Sequence, residues 1–346
     1  MSDKQDILNI LQIIYDDRQA KDTDPFRANV YSTAIEQIKR QPDKSLQNIQ
    51  FKSDSVKEIV DKYLQGESIK AILQSKNVNT SIDFDSYNTF LKVPSIGPKN
   101  AYWLIMKKNI HTLNQLKKNK HILTEAQKLG LKYFDDLQKK IPREEMHLHK
   151  KKLQNVIQRK FTIAGSYRRN FQESGDIDVL IRLTKEETDK RKDENAKSKT
   201  TTDTIYEYSG KILKNIVEHE NMKNYLLGNF MYGQVKYAGI CKLEKNYPAR
   251  HIDFLITDYY QYPFALLYFT GNAQFNEYMR SYARTLGYSL NQEGIQTIKD
   301  GEYISGFTSE KDIFHFLNLP YIEPKKRNYY TLQYYINRTN MSFSKK

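Results

Sequence analysis

The residues best suited to chemistry are two aspartates in Gly175-Asp176-Ile177-Asp178, followed by Val179, Leu180 and Ile181. The β-branched enrichment and the period of two predict a strand. On a strand, positions i and i+2 share a face, so both carboxylates point the same way and Ile177 points the other. Two like charges that close are costly unless a cation sits between them. A third carboxylate, Asp253, lies in His251-Ile252-Asp253-Phe254-Leu255-Ile256, a second strand pattern. Three carboxylates converging from neighbouring strands make a hard, all-oxygen site suited to Mg²⁺ or Mn²⁺. Two such ions about 4 Å apart clamp the attacking and leaving oxygens of an in-line phosphoryl transfer.

A bare D-x-D is more often a solvated strand end than a metal site, so the surrounding residues decide. Gly165-Ser166 lies upstream, after the short strand Phe161-Thr162-Ile163-Ala164, at a strand-to-helix step. Backbone amides at such a step cradle phosphate. Arg168 and Arg169 follow, and either can turn back to the same anion. A Gly-Ser turn, an arginine pair and then G-D-x-D is the arrangement that a nucleotidyltransferase palm requires.

The rest of the chain must position these groups. It has 346 residues, with 55 Lys+Arg against 41 Asp+Glu, a net charge of +14 that favours a polyanionic partner. The length favours two or three domains. One cysteine, Cys241, excludes an internal disulfide and a cysteine-rich zinc site. No secretory signal or membrane-length apolar run is visible, which points to an intracellular protein, nuclear or viral and cytoplasmic. The expected class is α+β and multidomain. Residues 1–84 read as a small helical domain, with apolar stripes such as Ile7, Ile10, Leu11 and Ile14. Residues 85–150 are helical and contain the turn Val93-Pro94-Ser95-Ile96-Gly97-Pro98-Lys99. Residues 151–257 carry the strands, 258–327 mix helices and short strands, and 328–346 read as a tyrosine-rich, basic tail. The charged run Lys185–Thr202 has no apolar period and reads as a loop.

The segments GSYRRNFQESGDIDVLI (165–181), HIDFLI (251–256), LYFTGNAQFNEYMR (267–280), LKYFDDLQKKIPREEM (131–146) and SEKDIFHFLNLPYIEPKKR (309–327) together resemble the family X DNA polymerases, the polymerase beta type above all. The resemblance implies that Asp176, Asp178 and Asp253 are the catalytic ligands of two Mg²⁺ or Mn²⁺ ions, with Asp253 helping to activate the primer 3′-hydroxyl. Arg143, Ser166, Arg169, Ser174 and Gly175 would hold the triphosphate of a dNTP. Tyr268, Phe269, Gly271 and Asn276 would line the sugar and base pocket, with a cis peptide after Gly271. Arg280 would probe the template side, and Lys236 would lie near DNA.

The turn at 93–99 resembles a helix-hairpin-helix, whose Gly97 and Lys99 would meet a DNA phosphate. The carbonyls of Leu91, Val93 and Ile96 would hold Na⁺ or K⁺. In the first domain, Arg27 and Tyr31 match positions that hold a 5′-phosphate. The hairpin around Phe51–Val56 lacks glycines, however, and the family's Schiff-base lysine falls at Glu58 or Ile59. Gap recognition is therefore expected of this domain and lyase chemistry is not. Ala273, Gln292, Leu255 and His251 also depart from the family pattern, which bears on fidelity and closure. The expected function is short-gap DNA synthesis by a monomer on gapped or nicked duplex. The alternatives are a template-independent terminal nucleotidyltransferase and a catalytically silent DNA-end-binding protein.

Overall fold

The structure is a computed structural model that describes residues 3–20, 25–39, 46, 49–78, 83–197 and 204–343. The chain divides into two compact units, residues 1–134 and 135–346. The fold is α+β: the described strands all lie in the second unit. None of the described helices is long and apolar enough to cross a membrane.

The first unit is helical: α1 (Asp3–Ala20), α2 (Pro25–Lys39), α3 (Asp54–Leu64), α4 (Ile69–Ser75), α5 (Phe84–Leu91), α6 (Pro98–Met106), α7 (Leu113–Lys118) and α8 (Glu125–Lys132). One apolar cluster runs through it, from Ile7, Ile10 and Ile14 to Val56, Ile72, Phe90, Leu104 and Leu131. The helix starts follow side-chain chemistry. Asp83 caps α5, and Thr112 and Thr124 form capping boxes with Gln115 and Gln127.

The second unit begins near α9 (Phe134–Leu137), β1 (Ile141–Pro142) and α10 (Arg143–Gln154). It continues with β2 (Phe161–Ile163), α11 (Gly165–Arg168), β3 (Glu173–Ser174), β4 (Ile177–Arg182), α12 (Lys185–Lys197), α13 (Thr204–Val217), β5 (Leu226–Tyr232), β6 (Lys236–Cys241) and β7 (Arg250–Thr257). Then come α14 (Tyr262–Thr270), α15 (Ala273–Thr285), β8 (Tyr288–Leu290), β9 (Ile295–Thr297), α16 (Glu310–Phe316) and α17 (Tyr329–Phe343). The main sheet has the order β2-β4-β7-β6-β5, with β4 and β7 parallel and the other pairs antiparallel.

Period two sorts the central strands into two faces. Ile177, Val179, Ile181, Ile252, Phe254 and Ile256 belong to a core shared with α10 and α13. Leu180 and Leu255 lie on the other face and pack with Tyr262 and Ala265 of α14. Asp178 is two residues from Leu180 and Asp253 two from Leu255, so the carboxylates emerge on the α14 face, at the start of β4 and midway along β7. A third cluster joins α14, α15, α16 and α17 through Phe264, Phe275, Phe314 and Leu332.

Three segments differ from the sequence expectation. Met146 and Leu153 of α10 pack beneath the sheet, so this helix belongs with the palm, earlier than a boundary at 150 implies. Lys185–Lys197 is a helix rather than a loop. It is polar almost all round, and its support is end chemistry and pairing. Thr184 and Glu187 cap each other, Arg159 and Tyr208 hold the Glu187 carboxylate, and Lys185 and Asp189 pair one turn apart. The remainder of that charged run, 198–202, lies outside the described residues. Where a tail is expected, α17 packs Leu332 and Ile336 into the third cluster. The side chains of Tyr329 and Tyr330 lie outside the described residues.

Candidate active site

The parallel pairing of β4 and β7 sets Asp178 directly opposite Asp253, and Asp176 sits one side-chain repeat earlier. The three charges feel one another. Burial raises the Asp178 pKa, and Asp176 and Asp253 raise it further; Lys236 and Arg169 only partly counter this. Burial likewise raises the Asp176 pKa, with Asp253 adding to it and His251, Lys140 and Arg169 opposing.

The side chains do not stand as a closed ligand cage. Among the described residues no three His, Cys, Asp or Glu side chains are gathered tightly enough to hold a metal ion. Asp253 turns Oδ2 toward Lys236 Nζ, 3.4 Å away. Mutual repulsion and one nearby ammonium account for that arrangement. The donor set itself suits a hard divalent cation: it is all carboxylate, partly buried and incompletely neutralised.

Beside the aspartates, the chain leaves β2 through Ala164, whose amide donates to the Asp178 carbonyl at 2.8 Å. Gly165 then adopts φ +55°, and a Cβ there would lie 2.4 Å from Asp178 Oδ2. Only glycine lets the turn approach the carboxylate this closely. Asp176, Asp178, Gly165, Ser166, Gly175 and Arg169 share the wall of a cleft of about 1260 Å³. The Arg169 guanidinium donates to the Thr270 carbonyl at 2.5 Å and lies over the Phe171 ring at 5.0 Å. Its Nε is buried with no hydrogen-bond partner. Such an orphaned donor, among the described residues, fits an incoming anion.

The opposite wall comes from the end of α14 and the start of α15. Tyr268, Phe269, Gly271, Asn276 and Arg280 all line the cleft. Gly271 has φ +63° and its bond to Asn272 is cis, as the sequence resemblance implied. Asn272 caps α15 by accepting from the Phe275 amide at 2.9 Å, and Asn276 donates to the Tyr268 carbonyl at 2.6 Å. Arg280 rests over the Tyr268 ring at 4.8 Å and reaches Gln292 at 3.5 Å. Ala273 also faces the cleft, while Leu255 is part of the small core against α14. His251 lies near Asp176 and Asp253, and burial lowers its pKa although both carboxylates oppose that.

Two expected triphosphate residues do not reach the cleft. Ser174 is buried and paired opposite Ile141. Arg143 spends its guanidinium on the carbonyls of Tyr167 and Phe171, each at 3.1 Å, and lies over the Tyr167 ring. It therefore braces the turn from behind. The cleft also holds Lys140, a cation with no signal in the sequence pattern. Its place depends on β1 and β3, two-residue strands too short to leave a periodic signal. Arg168 likewise turns away, forking onto Glu310 at 2.7 and 3.0 Å.

In the first unit, Leu91, Val93 and Ile96 are placed around the turn between α5 and α6. The Ile96 amide donates to the Val93 carbonyl at 3.0 Å, and Ser95 has φ +65°. Gly97 caps α6 with no side-chain hydrogen bond, and a Cβ there would meet nothing within 4 Å. Lys99 is exposed on the first turn of α6. Tyr31 is buried, its hydroxyl 3.2 Å from Ser55 Oγ, and the Arg27 side chain lies outside the described residues. Ile59 is fully buried, and Glu58 pairs with Lys62 at 2.9 Å and with Lys76.

A strand pair with three carboxylates beside a Gly-Ser turn, at a cleft closed on its far side by α14 and α15, defines a class of nucleotidyltransferase. The chain matches the DNA polymerase beta palm over residues 140–259, the DNA polymerase beta thumb over 265–328 and the fingers domain of DNA polymerase lambda over 88–138. It is 30% identical over 69% of its length to DNA polymerase lambda of Arabidopsis thaliana, and 32% identical over 60% to that of Rattus norvegicus. It is 27% identical over 82% of its length to DNA nucleotidylexotransferase of Xenopus laevis. These alignments take in 46%, 36% and 60% of the relatives' own lengths, in that order. A crystal structure of Leishmania infantum polymerase beta, a ternary P/T complex, matches with TM-score 0.59 and 27% identity, over 70% of this chain and 98% of that one. The chain belongs to the family X DNA polymerases. Members of this family are nucleotidyltransferases that generally need divalent metal ions.

Proposed function

We propose that the protein is a DNA-directed DNA polymerase that fills short gaps during repair of the base-excision type, acting as a monomer. The observation that carries this reading is the register of Asp178 against Asp253 on neighbouring strands, with Asp176 and Asp178 lining one cleft together with the Gly165–Ser166 turn and Arg169. Asp176, Asp178 and Asp253 would hold two Mg²⁺ or Mn²⁺ ions, which supply charge neutralisation and activation of the primer 3′-hydroxyl. Arg169, Ser166, the Gly175 backbone and Lys140 bind and orient the dNTP triphosphate, whose negative charge needs several cationic and amide partners together. Tyr268 and Phe269 pack against the sugar and exclude a 2′-hydroxyl by sterics. Arg280 lies on the template side of the nascent pair, and Lys236 on the DNA side of Asp253. Gly97 and Lys99 offer backbone and charge to a duplex phosphate, and the carbonyls of Leu91, Val93 and Ile96 would take Na⁺ or K⁺. Tyr31 and Arg27 belong to 5′-phosphate recognition in the first unit. Glu58 or Ile59 at the Schiff-base position leaves lyase chemistry without its amine.

A second reading, template-independent tailing, has support from the likeness to a DNA nucleotidylexotransferase. Incubation with Mg²⁺, dNTPs and a one-nucleotide gapped duplex separates the two. Incorporation that follows the template base is the expected result. Untemplated addition would favour the second reading, and retention of DNA without extension would sink both. Borohydride trapping on a 5′-incised abasic duplex is expected to give little adduct; a strong adduct would overturn the assignment of the first unit.

A further inference from the structure

Behind the cleft, Arg250 at the start of β7 is only 3% exposed. Its Nε and Nη2 fork onto the two oxygens of Glu145 in α10, both at 2.8 Å, and its Nη1 donates to the Lys139 carbonyl at 2.8 Å. Next to it, the Ala249 amide donates to the Asp136 carboxylate at 3.0 Å. Residues 136 and 139 are thus stapled to β7, the strand that carries Asp253 three residues further on. Immediately after Lys140, Ile141 pairs with Ser174, which leads directly into Gly175-Asp176. The Lys140 backbone is therefore pinned between both carboxylate-bearing segments. Its Nζ lies 3.7 Å from where a Gly175 Cβ would stand, on the cleft wall. His149 packs beside this pair, its Nδ1 2.7 Å from the Tyr225 hydroxyl and its Nε2 3.5 Å from Glu145.

We propose that Arg250, through Glu145 and the Lys139 carbonyl, is a positioning residue that sets the Lys140 ammonium against the triphosphate end of the cleft. A buried ion pair is a poor source of net stability compared with apolar packing. A fork that also grips a backbone carbonyl has a geometric use instead, because it fixes a long, flexible lysine at its root. The inference rests on the polymerase reading for its kinetic consequence but not for its geometric one.

The test is the double variant Glu145→Leu/Arg250→Met, which replaces the ion pair with apolar groups of similar volume. Its melting temperature checks folding. The expected result is a rise in KM for dNTP of about ten-fold with kcat little changed. The effect should fail to add to that of Lys140→Ala in a double-mutant cycle. Arg250→Lys keeps the charge but cannot fork and reach the carbonyl together, and serves if the double variant does not fold; a smaller rise in KM is expected of it. Site-resolved acylation of lysines by mass spectrometry, which needs no activity, should show Lys140 reactivity changed several-fold while Lys99 is unaffected. Unchanged Lys140 reactivity in a folded variant, or KM effects that add, would overturn the proposal. Altered reactivity in a protein that never synthesises DNA would leave the positioning intact and sink the polymerase reading alone.

Discussion

Asp178, half-buried, and Glu310, buried, are both carboxylates of the second unit, yet their surroundings push them in opposite directions. For Glu310, burial alone would raise the pKa, but Arg168 and Arg327 outweigh it and hold the group below its usual value. Arg168 forks onto it, and Arg327 approaches at 2.6 Å. For Asp178, burial and two neighbouring carboxylates all act upward, against one lysine and one arginine. In the first cluster the carboxylate is more than balanced by two arginines from within the chain. The second is short of positive charge, and that shortage marks where the chemistry belongs.

The largest effect should come from removing charge on the open side. Asp253→Ala is expected to reduce gap filling by at least a thousand-fold, on the order expected for loss of metal-assisted catalysis, while leaving gapped-duplex binding largely intact. Substantial residual synthesis would break the metal assignment. The two clusters should then differ in sign when each carboxylate is neutralised in metal-free protein. Glu310→Gln strands the buried Arg327 and the partly buried Arg168 and should cost roughly 3–5 kcal/mol in denaturant unfolding. Asp178→Asn relieves like-charge repulsion and should stabilise by about 1–2 kcal/mol. If both variants moved the same way, the contrast between closed and open clusters would be void.

A smaller effect concerns pH. Burial lowers the His149 pKa from 6.5 to about 4, so between those values the unfolded chain binds a proton that the folded chain refuses. Stability should therefore fall as pH drops through that window. Glu310 has the lowered pKa of a paired carboxylate, so its contribution is present above its unfolded value of 4.5 and is lost as pH falls toward its folded value. His149→Gln should flatten the melting-temperature profile above pH 4 without touching the Glu310 limb. A profile unchanged by that substitution would show that His149 does not titrate as its burial requires. The mildest test is salt: DNA affinity should fall steeply with ionic strength, as counterion release by Lys and Arg demands. A flat response would contradict phosphate tracking by the basic surfaces.

Much of the site was legible in the sequence because its geometry follows from short-range rules. The i, i+2 aspartates needed only a strand, and Gly165 needed only a turn too close to Asp178 for a Cβ. The cis bond after Gly271 and the cleft-lining Tyr268, Phe269 and Asn276 came through the family resemblance, and the structure gathers them on one wall. What escaped depends on distant partners. Arg143 and Lys140 differ in role because β1 pairs with β3 and the carbonyls of Tyr167 and Phe171 capture Arg143. Helix α12 has no apolar stripe, and its support from Arg159 and Tyr208 comes from elsewhere in the chain. The helix at 329–343 looked like a tail because its tyrosines and polar residues mask the buried Leu332 and Ile336.

The central claim is that Asp176, Asp178 and Asp253 grip divalent ions beside a bound dNTP. Its most direct test counts Mn²⁺ by electron paramagnetic resonance in a complex with gapped DNA, a dideoxy-terminated primer and the matching dNTP. The account predicts two bound ions per wild-type molecule and loss of at least one in Asp178→Asn. Ion binding that is absent from the wild type, or indifferent to that substitution, would contradict it.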